Sequence, residues 1–173
     1  VEKRARDVAA TAWCDFGITG HPPSDTAELD RYREAGAFSV QFFPWDLRPW
    51  RYPRDTDDSQ DFFKRCADLG LKGMIVVDEL GFQGTSLEEE GETYALQALL
   101  RRLDPSFHVR VAVTRPSSVE MLLEHRERLP NMRIQVPHHS LFADRESAHE
   151  KIGSAAFHVP PLRFADEVAQ LQE

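Results

Sequence analysis

Ala37-Phe38-Ser39-Val40-Gln41-Phe42-Phe43 is a short apolar run interrupted by a single amide, Gln41. Preceded by the helix stop Ala35-Gly36, a run of this length predicts a buried strand, Phe38 to Phe43, rather than a helix. The same order, a helical stretch and then an apolar run, recurs along the chain. Gly73-Met74-Ile75-Val76-Val77, Val109-Arg110-Val111-Ala112-Val113 and Met132-Arg133-Ile134-Gln135-Val136 predict three further strands, and Ala12-Trp13-Cys14-Asp15-Phe16-Gly17 an earlier one. Between them periodicity predicts helices over residues 26–34, 57–69, 87–103 and 119–128, with others over 1–11, around 145–151 and at the C-terminus.

Local chemistry agrees with these boundaries. Ser24 or Asp25 can cap the helix that begins at Thr26, with Glu28 placed for a capping box, and Pro116 stands where a helix tolerates a missing N–H. A last apolar run, Ala155 to Val159, precedes Pro160-Pro161-Leu162-Arg163 and is a candidate sixth strand. Residues 44–56 form an insertion with Trp45, Trp50, Tyr52 and three prolines, whose aromatic content predicts an ordered loop. Strict strand–helix alternation points to parallel strands joined by right-handed crossovers, either a doubly wound sheet or an arc of a (β/α)8 barrel. No glycine-rich phosphate fingerprint follows any strand, so a dinucleotide fold has no positive support.

The 173 residues suit one domain able to bury roughly 70% of its unfolded surface. With 41% hydrophobic and 29% charged residues, the chain has the composition of an ordinary globular protein. The net charge of −8 and the absence of a basic stripe argue against nucleic acid as a partner. No apolar run approaches the roughly 20 residues of a membrane span, and Glu2-Lys3-Arg4 is no secretory leader, so the expected location is the cytoplasm. Cys14 and Cys66 lack metal-ligand spacing and are expected to be buried thiols.

Several motifs fall in a specific order. Cys14-Asp15-Phe16-Gly17 is followed by a glycine-containing loop, a helix ending Glu34-Ala35-Gly36-Ala37 and the strand Phe38 to Phe43; later come Ser117-Ser118-Val119-Glu120, Val136-Pro137-His138-His139 and Val159-Pro160-Pro161-Leu162-Arg163. This series resembles the central part of the cyclic amidohydrolases: dihydroorotase, hydantoinase and allantoinase. The resemblance implies a partial (β/α)8, TIM-barrel-like α/β domain of five to six parallel strands spanning residues 1–173.

The resemblance also implies a hydrolase of cyclic amides whose two divalent ions, often zinc, are bridged by a carboxylated lysine. Gln41 stands at the lysine's position, and a neutral amide cannot be carboxylated. Val76 matches one expected histidine, Arg115 (or Thr114, one residue earlier) another, and Val159 a substrate-holding asparagine. The expected consequence is an absent metal centre with no cofactor, and a catalytically degenerate domain that assembles with or supports another protein chain, or a second copy of itself, covering its open sheet edges; the alternative is an enzyme on a small cyclic amide or a ureido or carboxylate substrate, either metal-independent in the old pocket or a fragment of an active cyclic amidohydrolase.

Polar residues at strand ends remain candidates for retained chemistry on a small molecule, since barrel enzymes place their sites there. Asp15, Asp78 and Glu79 are candidate general bases, Arg115 a candidate anion clamp, and Gln41, His138 and Trp45 candidate substrate contacts. An Asp78–Arg115 ion pair could neutralise the former cavity. Against each stands the plainer reading that strand ends are loop boundaries, where polar residues are common. His138 and His139, at a strand end, would point to opposite faces and so would not share a metal.

Overall fold

The computed structural model describes residues 2–12, 17–23, 25–43, 56–77, 88–153 and 162–173. Its elements follow the predicted alternation: α1 (Glu2–Ala9), β1 (Ile18–Gly20), α2 (Glu28–Glu34), β2 (Ala37–Phe42), α3 (Thr56–Asp68), β3 (Lys72–Val76), α4 (Glu88–Leu100), β4 (Val109–Ala112), α5 (Pro116–Glu124), β5 (Met132–Gln135), α6 (His139–Phe142), α7 (Arg145–Ile152) and α8 (Ala165–Gln172). Among the described residues the strands form one sheet in the order β1-β2-β3-β4-β5, every neighbouring pair parallel. Sequential order without a switch is how an arc of a (β/α)8 barrel is laid down, whereas a doubly wound sheet reverses direction. The candidate sixth strand over residues 155–159 lies outside the described residues.

The two faces of this sheet differ sharply. Val40, Phe42, Ile75, Val77, Val109, Val111 and Val113 belong to the buried core beneath the helices. Phe42 meets Phe62 edge-on at 5.1 Å and Phe63 at 5.3 Å, and Phe63 meets Phe107 at 5.6 Å, so one aromatic chain joins β2 to α3 and to the turn before β4. Leu96, Leu99, Leu100 and Leu103 close the same core from α4 and its following turn. The intervening strand residues face the other way, toward what would be the inside of a barrel. There the register aligns Gln41 with Met74, Met74 with Arg110, and Arg110 with Arg133, a single transverse row across four strands.

The first strand departs from expectation. Residues 13–16 lie outside the described residues, and the strand that pairs with β2 is Ile18–Gly20, just after the predicted strand and running into the segment Gly20 to Asp25 whose glycine and prolines predict loop. Thr19 secures it, its hydroxyl lying 2.7 Å from that of Ser39. Gly20 is glycine because a Cβ there would meet the Tyr32 ring at 2.4 Å. The predicted capping box of α2 does not form; Asp25 Oδ1 instead accepts the Ala27 N–H at 2.9 Å in the preceding turn, and Ala27 caps the helix without a side-chain bond. The helix expected from Val119 begins at Pro116, with proline at its first turn.

Two measurements probe this packing. A Cβ on Gly73 would come within 2.5 Å of the buried Phe107 ring and 3.0 Å of Val109, so Gly73→Ala is expected to lower unfolding stability by about 1–3 kcal/mol in urea titration, with partial recovery when Phe107→Leu is added. Burial pushes the Cys66 thiol from its ordinary value up to about 12. Above pH 9 the unfolded chain therefore ionises first, and stability is expected to fall toward pH 12 at a rate of at most roughly 1.4 kcal/mol per pH unit. Comparison with Cys66→Ala, which lacks that component of the slope, isolates the thiol.

Candidate functional site

The most constrained polar cluster lies at the C-terminal end of β4, where the barrel analogy places chemistry. Glu92, in the second turn of α4, is fully buried and reaches across to the segment leaving β4. Its Oε1 accepts the backbone N–H groups of Thr114 and Arg115, each at 3.0 Å. Its Oε2 accepts the Thr114 hydroxyl at 2.6 Å and Arg163 Nη2 at 2.9 Å, with the Thr114 N–H shared at 3.2 Å. Arg163 Nε donates to the Thr114 hydroxyl oxygen at 2.8 Å. On the outer side Arg115 Nη1 donates to Glu167 Oε1 of α8 at 2.7 Å.

This arrangement answers the electrostatics of burial. An isolated carboxylate out of water is penalised by several kcal/mol, and only a close opposite charge with good hydrogen bonds offsets that. Glu92 has both, and its roughly four lone-pair positions are taken up by protein donors. A carboxylate so occupied has no acceptor left for a substrate proton; it is a clamp that ties α4, the β4 exit and the 162–163 segment together. Arg145 N–H extends the tie by donating to the Arg163 carbonyl at 2.8 Å, which fixes the start of α7.

Sequence reading missed Glu92, although a signal was present. Residues 92, 96, 99, 100 and 103 fall on one helical face, so a glutamate occupies the first position of an otherwise leucine stripe. A charge on such a stripe is either buried with a partner or the end of the stripe, and Arg163 is the partner.

The predicted site residues are dispersed. Gln41 is half-buried on the inner sheet face, beside Met74. Val76 is half-buried on the same face, aligned with Ala112 and then Gln135. Arg115 and Thr114 both belong to the Glu92 clamp. His138 is exposed and precedes α6, and His139 is already helical, so the strand-alternation argument about these two rings does not apply; their centroids are 5.6 Å apart, edge to face. Asp15, Trp45, Asp78 and Glu79 lie outside the described residues, and with them the expected Asp78–Arg115 pair. A cavity of about 440 Å³ opens between α4 and α5, lined by Gln97, Leu100, Arg101, Met121, His125 and Arg128 and by none of the predicted site residues. Arg128 donates there to the Leu100 carbonyl, an orphan acceptor at the end of α4.

The positions that the resemblance assigns to a two-metal centre do not fit one. They present an amide, a valine and an arginine whose guanidinium is held by Glu167. Among the described residues no group of three or more His, Cys, Asp or Glu side chains is placed to hold a metal ion.

Breaking the clamp from one side should be costly. Glu92→Gln leaves Arg163 buried without its counter-ion, and a loss of about 3–5 kcal/mol is expected in urea unfolding. Arg163→Met should cost a similar amount, and the double variant Glu92→Gln/Arg163→Met less than the sum, since a neutral amide no longer requires a cation. Additive losses would show that the pair is uncoupled.

No protein-family model matches this sequence, and no curated protein matches it. Among solved structures, a crystal structure of D-hydantoinase is similar over 98% of this chain with a TM-score of 0.72 and 19% sequence identity, and the match spans 43% of the D-hydantoinase chain. The shared feature is the fold: this chain is an α/β domain, an arc of parallel strands and outer helices like part of a TIM barrel.

Proposed function

We propose that this chain is a catalytically degenerate amidohydrolase-like domain that acts in the cytoplasm in assembly with, or support of, a partner protein. The observation that carries this reading is the transverse row Gln41–Met74–Arg110–Arg133. A bridging anion is needed to hold two divalent ions a few Å apart, roughly 3.5–4. The row instead presents a neutral amide and, two strands on at about 10 Å by strand spacing, the first of two guanidinium-bearing residues. Positive charge on this face raises the energy of bound cations.

The sheet edges supply the positive half of the argument. Among the described residues β1 and β5 each pair on one side only. Unpaired strand edges are templates either for another chain or for further strands of the same one, and the proposal takes the first. A metal-independent enzyme using Asp15, Asp78 or Glu79 with Arg115 as anion clamp is the competing reading, and the engagement of Arg115 Nη1 by Glu167 weighs against it.

Elemental analysis, turnover assays on hydantoin and dihydroorotate, and light scattering on the purified protein test this together. The expected result is far less than one zinc per chain, no turnover above background, and a mass above that of the monomer or a stoichiometric co-purifying protein. Stoichiometric zinc in a monomer whose turnover is abolished by chelation sinks the proposal.

A further inference from the structure

The helix layer holds the cavity of about 440 Å³ between α4 and α5, at the opposite end of α4 from Glu92. One helix leads into β4 and the other out of it, and β4 is paired on both sides, so the cavity does not depend on either sheet edge. Gln97, Leu100 and Arg101 come from the end of α4, and Met121, His125 and Arg128 from the last turn of α5 and the turn that follows. Two of these side chains are held in advance. His125 Nδ1 lies 2.9 Å from the Met121 carbonyl, which fixes the ring and leaves Nε2 for another partner. The bond from Arg128 Nη2 to the Leu100 carbonyl seats its guanidinium at the end of α4 with donors to spare. Among the described residues no carboxylate lines the cavity and none pairs with Arg101 or Arg128, in a chain whose net charge is −8. Arginines at helix ends offset the helix dipole and cap carbonyls, as Arg128 does at Leu100. That role needs neither a second guanidinium nor an open volume beside it.

We propose that this cleft binds a small organic phosphate monoester, a dianionic head on an apolar body. Its volume falls within the range of small-molecule sites, roughly 300–1,000 Å³. The terminal oxygens of a phosphate monoester accept from two guanidinium forks at once, whereas a carboxylate is filled by one. The Gln97 amide and the His125 ring add hydrogen-bonding groups beside the two arginines. Buried Leu100 and half-buried Met121 give the apolar body a surface to rest on, and methionine adapts to its shape. Donors already pinned by the protein lose little freedom when the ligand arrives. A phosphorylated protein segment carries the same head, but the six lining residues offer nothing to the flanking chain. The inference goes beyond the assembly reading and does not depend on it.

Isothermal titration calorimetry of the full chain with phenyl phosphate tests this, at about pH 8 where a phosphate monoester is a dianion. One site per chain is expected, with phenyl phosphate bound at least about tenfold more tightly than inorganic phosphate or benzoate. Arg101 is exposed, so Arg101→Gln removes one of the two forks without disturbing the core. It is expected to weaken binding at least about tenfold, and Arg110→Gln, the same loss of charge on the inner sheet face, less than about twofold. Absence of saturable binding, phenyl phosphate bound no more tightly than inorganic phosphate or benzoate, or equal losses in the two variants overturns the proposal. So does a phosphotyrosine peptide that binds more tightly than phenyl phosphate, which would make the cleft a protein-docking site.

Discussion

A buried carboxylate is the constraint on which the C-terminal half of this molecule depends. Glu92 cannot be left without partners at zero exposure, and the partners it takes come from residues 114–115 and 163, far apart in the chain. Once they are in place, the exit from β4 has a defined direction. Arg115 is then presented to Glu167, which seats α8, and Gln172 of that helix reaches the Leu141 carbonyl of α6. The Leu162-Arg163 pair serves an internal connection. Its arginine is 4% exposed and has no face toward solvent.

How much of this was legible in the sequence depended on which physical signal each element carries. The strands β2 to β5 announce themselves because one face of each lies under helices and their apolar residues fall in compact runs; β2 and β5, for example, match within a residue at either end. The strand Ile18–Gly20 was invisible because it is short and owes its existence to partners remote in sequence, the Ser39 hydroxyl and the Tyr32 ring over Gly20. The helical start at His139 was hidden for a related reason, since four residues carry too little periodicity to register. Family resemblance located Gln41, Arg115 and the Arg163 motif, but pairing is a property of three-dimensional neighbourhood. Nothing in local spacing says that residue 92 meets residue 163.

The sheet separates the residues that hold the fold from those that line its inner face. Stability resides on the helix side, where the Phe42, Phe62, Phe63 and Phe107 rings interlock and the valines of β4 are buried. Residues on the opposite side contribute little to that core, so Gln41, Val76 and Arg110 are free to differ from any metal-binding pattern without unfolding the domain. Core and inner face lie on opposite sides of the same five strands.

The register irregularity between Ile18 and Thr19 has a consequence for the geometry of larger structures. It falls within the three residues of β1, and a break in register of this kind makes a poorer template for a further strand than regular pairing does. The β5 side carries four regularly paired residues. Edge-to-edge growth into a filament needs a competent surface at both ends, one to give and one to receive. In the assembly proposed above, a sheet with one competent edge would accept a single addition and then stop, giving complexes of closed, countable stoichiometry rather than open-ended polymers.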